Sequence, residues 1–125
     1  MLKDSHAFSG FSTNDIPKTK AFYQTTLGLD VTEENGAISL KSPGGHTVFI
    51  YPKGDAHQPA TFTVLNFPVD DIETTVDRLV AAGVTFERYP GMDQDERGIA
   101  LDEDGPRIAW FTDPAGNIVS VLEQR

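Results

Sequence analysis

The amino-acid sequence predicts an α+β fold made of two βαβββ modules. Two observations carry this expectation, an internal repeat and the alternation of short β-like runs with two helical stretches. The hexamer Phe11-Ser12-Thr13-Asn14-Asp15-Ile16 recurs as Phe67-Pro68-Val69-Asp70-Asp71-Ile72. Each copy follows a β-rich run, Ala7 to Ser12 or Thr61 to Val69, and precedes a helical stretch that stops at a glycine, Gly28 or Gly83. A unit of this length occurring twice is a duplicated supersecondary module rather than a solenoid. The expectation is a single domain over 1–125, with module one at about 1–55, a linker at 52–60 and module two at about 60–125. Paired modules would enclose an open, barrel-like cleft.

The elements follow from period and punctuation. The first helix is expected over Asp15 to Leu27, capped by Asn14 or Asp15, with Pro17 in the first turn where its missing N–H costs nothing. Its buried side would use Ile16, Ala21, Tyr23 and Leu27. The second is expected over Asp71 to Ala82: Ile72, Val76, Leu79 and Val80 form one apolar stripe, and Asp70 with Glu73 suggests an acidic capping box. Further strands are expected at Asp30 to Glu34, Ala37 to Lys41, Thr47 to Tyr51, Val84 to Tyr89, Gly98 to Leu101, Arg107 to Phe111 and Ile118 to Leu122. Turn formers separate them, among them Glu34-Asn35-Gly36, Ser42-Pro43-Gly44-Gly45, Asp104-Gly105-Pro106 and Asp113-Pro114-Ala115-Gly116-Asn117.

Composition narrows the function classes. A net charge of -9, from 19 acids and 10 bases, opposes phosphate-tracking contacts, so nucleic acid is not an expected partner. The acidic runs Asp93-Gln94-Asp95-Glu96 and Asp102-Glu103-Asp104 read as solvated loops. No apolar run reaches about 18 residues and the first residues lack an apolar signal core, so no membrane role is expected and a cytoplasmic location is. The absence of cysteine removes disulfides, thiolate metal sites and cysteine nucleophiles together. The chain carries no phosphate-binding loop, no dinucleotide fingerprint and no Gly-x-Ser-x-Gly elbow around Ser120.

Asn14-Asp15-Ile16, Ala21-Phe22-Tyr23 and Leu27-Gly28-Leu29, with Asp113-Pro114-Ala115-Gly116-Asn117 near the C-terminus, together resemble the glyoxalase, bleomycin-resistance and dioxygenase superfamily, also called vicinal oxygen chelate proteins. The resemblance covers nearly the whole chain. It implies the paired βαβββ fold around a ligand or metal site, and a homodimer. Metal-dependent members place a His or Glu on each of four strands, and the flanking motifs put those positions at Phe8, Tyr51, Val64 and Ser120. Phe and Val offer a hard cation no donor. His6 shares parity with Phe8 but lies about 6 to 7 Å nearer the strand's start. His46 and Glu123 have the wrong parity and His57 falls in the linker. Neither a metal nor another cofactor is therefore expected.

Keeping the parity of those positions, the cleft would be lined by Phe8, Gly10, Ser12, Thr47, Phe49, Tyr51, Phe62, Val64, Asn66, Ile108, Trp110, Ser120 and Leu122. The candidate ligand-binding residues are Phe8, Phe49, Tyr51, Val64, Asn66, Trp110 and Ser120, an aromatic lining with a few polar anchors; no catalytic residue is assigned. Three functions stay open: a metal-independent binder of an aromatic or hydrophobic small molecule, a metal-dependent lyase, isomerase or dioxygenase, and a filled-cleft protein with an interaction role.

Overall fold

The computed structural model describes residues 1–101 and 105–124, so the Asp102-Glu103-Asp104 loop and the first residue of the Asp104-Gly105-Pro106 turn lie outside the described residues. The chain forms an α+β fold with two βαβββ-type modules and mixed sheets. It divides into two compact units, Met1–Gln58 and Pro59–Arg125.

The first unit runs β1 (Ser9–Thr13), α1 (Ile16–Ala21), a π-helical turn (Phe22–Thr26), β2 (Asp30–Glu34), β3 (Ala37–Lys41), β4 (Thr47–Pro52) and a 3-10 turn (Gly54–Ala56). Its sheet has the order β1-β4-β3-β2. β1 and β4 run parallel and the other pairs antiparallel, because the helical crossover carries the chain to β2 at the far edge and two antiparallel steps then bring β4 beside β1. Alternation sorts the faces: Phe11 and Thr13, Ile38 and Leu40, and Val48 and Ile50 are buried in the core.

The expected helix from Asp15 to Leu27 is not continuously α-helical. Asp15 caps it, its carboxylate accepting from the Lys18 N–H at 3.0 Å, but beyond Ala21 the turn widens, with Leu27 N–H donating to Phe22 O at 2.9 Å. The widened turn accompanies the burial of Tyr23 between Phe11 and Phe22, at ring separations of 6.3 and 5.2 Å. The buried side is Thr19 and Tyr23, whereas Ala21 is exposed, because the Thr19 hydroxyl meets that of Thr13 at 2.7 Å beneath the helix.

The second unit runs β5 (Thr63–Pro68), α2 (Ile72–Ala81), β6 (Arg107–Thr112) and β7 (Ile118–Glu123), in the sheet order β5-β7-β6 with β5 parallel to β7. Ile72 and Val76 of α2, Ala109 and Phe111 of β6, and Val119 and Val121 of β7 are buried. Val80, expected in the same stripe, is 54 % exposed. The cap is Asp71 rather than Asp70: its carboxylate accepts from the Thr74 N–H at 3.1 Å. The Glu123 carboxylate takes a second otherwise unpaired N–H, that of Ile72, at 2.8 Å.

The Thr74 hydrogen bonds hold the Asp71 carboxyl below its ordinary 3.8. A depressed folded-state value means that the cap's contribution is present above the unfolded value and lost as pH falls through the folded one. Chemical unfolding of wild type and Asp71→Ala should therefore show a stability gap at neutral pH that narrows below pH 3.8. A gap independent of pH would assign the effect to something other than the charged cap.

Val84 to Tyr89 and Gly98 to Leu101 are not strands. Both reach the same edge of β6 and each gains single bridges, Phe86 to Phe111 and Ala100 to Ile108. The Gln94 side chain supplies what a strand partner would: its Oε1 accepts from Tyr89 N–H at 2.8 Å, and its Nε2 donates to Glu87 O at 3.0 Å and Gly98 O at 2.7 Å.

The Asp113-to-Asn117 turn closes the β6–β7 connection. The Asp113 Oδ1 accepts from the N–H groups of Ala115 and Asn117, each at 2.9 Å. Asn117 Oδ1 accepts from Ala60 N–H at 3.1 Å, tying the turn to the start of the unit. Gly116 has φ +83° and a Cβ there would lie 3.1 Å from Pro59, so both conformation and space require glycine.

Candidate functional site

The face of the first sheet opposite its buried residues carries a row of rings. Phe49 and Tyr51, two apart on β4, stack at 6.1 Å with planes 23° apart, and Phe8 meets Phe49 edge-on at 6.2 Å. Phe8 is 66 % exposed, and Phe49 and Tyr51 are half-buried. Gly10 lies opposite Phe49 in the β1–β4 register. A Cβ at Gly10 would come within 3.1 Å of Phe49 O, closer than side chains ordinarily approach, but only to ordinary contact, 3.7 Å, with Tyr51 Cε1, so the missing side chain gives room to the β4 backbone at Phe49. Around Phe8 and Phe49 opens a depression of about 410 Å³, polar at its sides through His6, Glu34, Ser39, His46 and Thr47.

Ser12 lies opposite Tyr51, and its Oγ is 2.7 Å from His57 Nδ1. Nothing local in the sequence points to this pair, which is separated by 45 residues and joins a strand to what reads as a linker.

On the second sheet three candidates form one cross-strand row. Ser120 of β7 faces Asn66 of β5 and Trp110 of β6. The Ser120 hydroxyl, fully buried, donates to Asn66 Oδ1 at 2.6 Å, while Asn66 itself is exposed. Trp110 is half-buried and meets Tyr89 edge-to-face at 5.5 Å. Burial, with the Glu87 carboxylate as a lesser cause, raises the Tyr89 phenol above its ordinary 10.0. A depression of about 250 Å³ adjoins Trp110, with Met92, Ala100, Leu101, Pro106 and Ile108 among its lining. Val64 stands apart from this row. The pairing slips between Thr63 and Leu65, so the alternation read from Phe62 through Val64 to Asn66 is broken by a bulge at Val64.

The four positions that the family resemblance assigns to metal ligands do not fit a divalent cation. Phe8 and Val64 carry no donor atom, and the Ser120 hydroxyl is engaged with Asn66. Among the described residues no three His, Cys, Asp or Glu side chains gather in a way that could hold a metal ion, and no helix is long and apolar enough to cross a membrane.

The profile of the Glyoxalase/Bleomycin resistance protein/Dioxygenase superfamily matches residues 6–121. The chain belongs to this superfamily. No curated protein matches it. Solved structures of the superfamily's fold do. TnmS3, an antibiotic binding protein from Streptomyces sp. CB03234, is 20 % identical with a TM-score of 0.69, covering 98 % of both chains. An integron cassette protein from the mobile metagenome of V. cholerae is 24 % identical with a TM-score of 0.64, again covering 98 % of both. A lactoylglutathione lyase from Agrobacterium tumefaciens is 20 % identical with a TM-score of 0.63, covering 95 % of this chain and 93 % of that one. At these identities the likeness to the superfamily's solved structures concerns the fold.

Proposed function

We propose that this superfamily member binds aromatic or hydrophobic small molecules without a metal, with Phe8, Phe49 and Tyr51 as the candidate surface of the first unit and Asn66 and Trp110 as that of the second, each taken by itself. The observation that carries the reading is the ring row on the first sheet, where Phe8 leaves two-thirds of its surface in water beside the stacked rings of Phe49 and Tyr51. Adjacent aromatic surface left wet on a sheet face is an interaction surface, and the depression beside Phe8 and Phe49 supports its reading as a place for a small molecule. The antibiotic-binding relative supports the same reading, and the donor-poor residues at the family's metal positions favour it over metal-dependent chemistry.

Trp110 is the only tryptophan, so its emission reports its surroundings without labelling. Titration with a panel of planar aromatic compounds should quench or shift that emission with saturation. Stacking contacts are each worth about 0.5 to 1.5 kcal/mol beyond area burial, so several sustain micromolar affinity, near -8 kcal/mol. Phe49→Ala should weaken binding by roughly tenfold, about 1.4 kcal/mol, with little change in Tm because Phe49 is only half-buried. Trp110→Ala, followed by calorimetry, should likewise weaken binding while leaving the protein folded. If no compound in the panel saturates the signal, or if Trp110→Ala melts as a core truncation would, the reading gives way to a filled-cleft protein.

A further inference from the structure

We propose that Ser12 and His57 form a nucleophile–base pair that transfers acyl groups from aromatic esters to water. Four observations converge on it. The Ser12 Oγ to His57 Nδ1 distance of 2.7 Å is that of a strong hydrogen bond between a hydroxyl and an imidazole nitrogen. With the ring proton on Nε2, Nδ1 accepts from the hydroxyl, the arrangement in which a histidine takes the serine proton as the oxygen attacks. The base is held by backbone: the turn Gly54–Ala56 is fastened to β1 by Lys53 N–H donating to Thr13 O at 3.0 Å, next to Ser12, and His57 N–H closes the turn onto Gly54 O at 3.2 Å. Both side chains are half-buried, which leaves room for a reactant to approach. Ser12 also lies opposite Tyr51, at the end of the ring row, so an aryl group stacked on Phe49 and Tyr51 would bring its ester toward the hydroxyl.

The step balances without a cofactor. Ser12 Oγ bonds to the ester carbonyl carbon while its proton passes to His57 Nδ1, and the alcohol or phenol leaves with that proton. Water then adds to the acyl-serine, releasing the carboxylic acid and restoring both side chains. Only the aryl preference rests on the binding reading proposed above.

The test is to react the whole protein with a small alkyl fluorophosphonate, which needs no ring site, and to locate the adduct by peptide mass spectrometry. Phosphonylation of Ser12 is expected ahead of every other serine. His57→Gln should slow it by about 100-fold, the low end of what general-base catalysis supplies. Ser12→Ala should abolish p-nitrophenyl acetate turnover, and the Trp110 titration of the same variant reads whether a ligand still binds, so that loss of chemistry and loss of binding are told apart. An unlabelled Ser12, or labelling as fast in a folded His57→Gln as in wild type, would reduce the pair to a clasp between the turn and β1 and overturn the proposal.

Discussion

Phe111→Ala is expected to lower unfolding free energy by about 3 to 5 kcal/mol, the range for truncating a fully enclosed phenylalanine. Phe111 has no exposed surface and packs edge-to-face on Phe86 at 5.4 Å. The loss has two parts, the transfer free energy of the ring and the void left where β6 and β7 hold the backbone in place. Phe86 adds to it, because the Phe86 to Phe111 bridge is among the few contacts fixing the segment after α2 to the sheet. Urea unfolding followed by far-UV circular dichroism measures the change. A loss below about 1 kcal/mol would mean that the site collapses around the alanine, contrary to the close packing described.

Asp113→Ala is the second large effect. Asp113 is buried, and its Oδ1 holds two backbone N–H groups while its Oδ2 accepts from Asn117 Nδ2 at 3.3 Å. Removing the carboxylate leaves those donors enclosed without their acceptor, at about 1 to 3 kcal/mol for each that water cannot reach. Asn117 would then hold Ala60 less firmly, so the damage should spread to the start of β5. Asp113→Asn keeps one oxygen acceptor and should lose less. Thermal denaturation of the two variants gives the ranking, and Asn equal to Ala would show that charge rather than acceptor geometry maintains the turn.

This turn was legible because its chemistry is local: Asp, Pro, Gly and Asn each act on backbone within four residues. The same locality explains why β2 and β3 fall on the residues read from the sequence and why Asp15 was among the expected caps. Long-range competition was not legible. Val84 to Tyr89 and Gly98 to Leu101 both have strand-like composition, yet they share one edge of β6, and Gln94 occupies hydrogen-bonding positions that a strand would need. The bulge at Val64 shifted the face assignment of β5 at a residue with no glycine or proline to signal it. At the site, alternation put Phe49 and Tyr51 on one face of β4, whereas the row of Asn66, Ser120 and Trp110 depends on the strand register, which parity does not carry. The Ser12–His57 pair depends on where a 3-10 turn folds back, which no periodicity records.

One of the two outer strands of the first sheet, β2, bears exposed Asp30, Glu33 and Glu34, with Glu33 paired to Lys20 Nζ at 3.1 Å. An unpaired edge is the template on which protein chains aggregate, and carboxylates lining it repel an identical edge brought alongside. Fibre-like growth by adding β2 to β2 is therefore disfavoured. That protection weakens at high salt, where turbidity should first report aggregation.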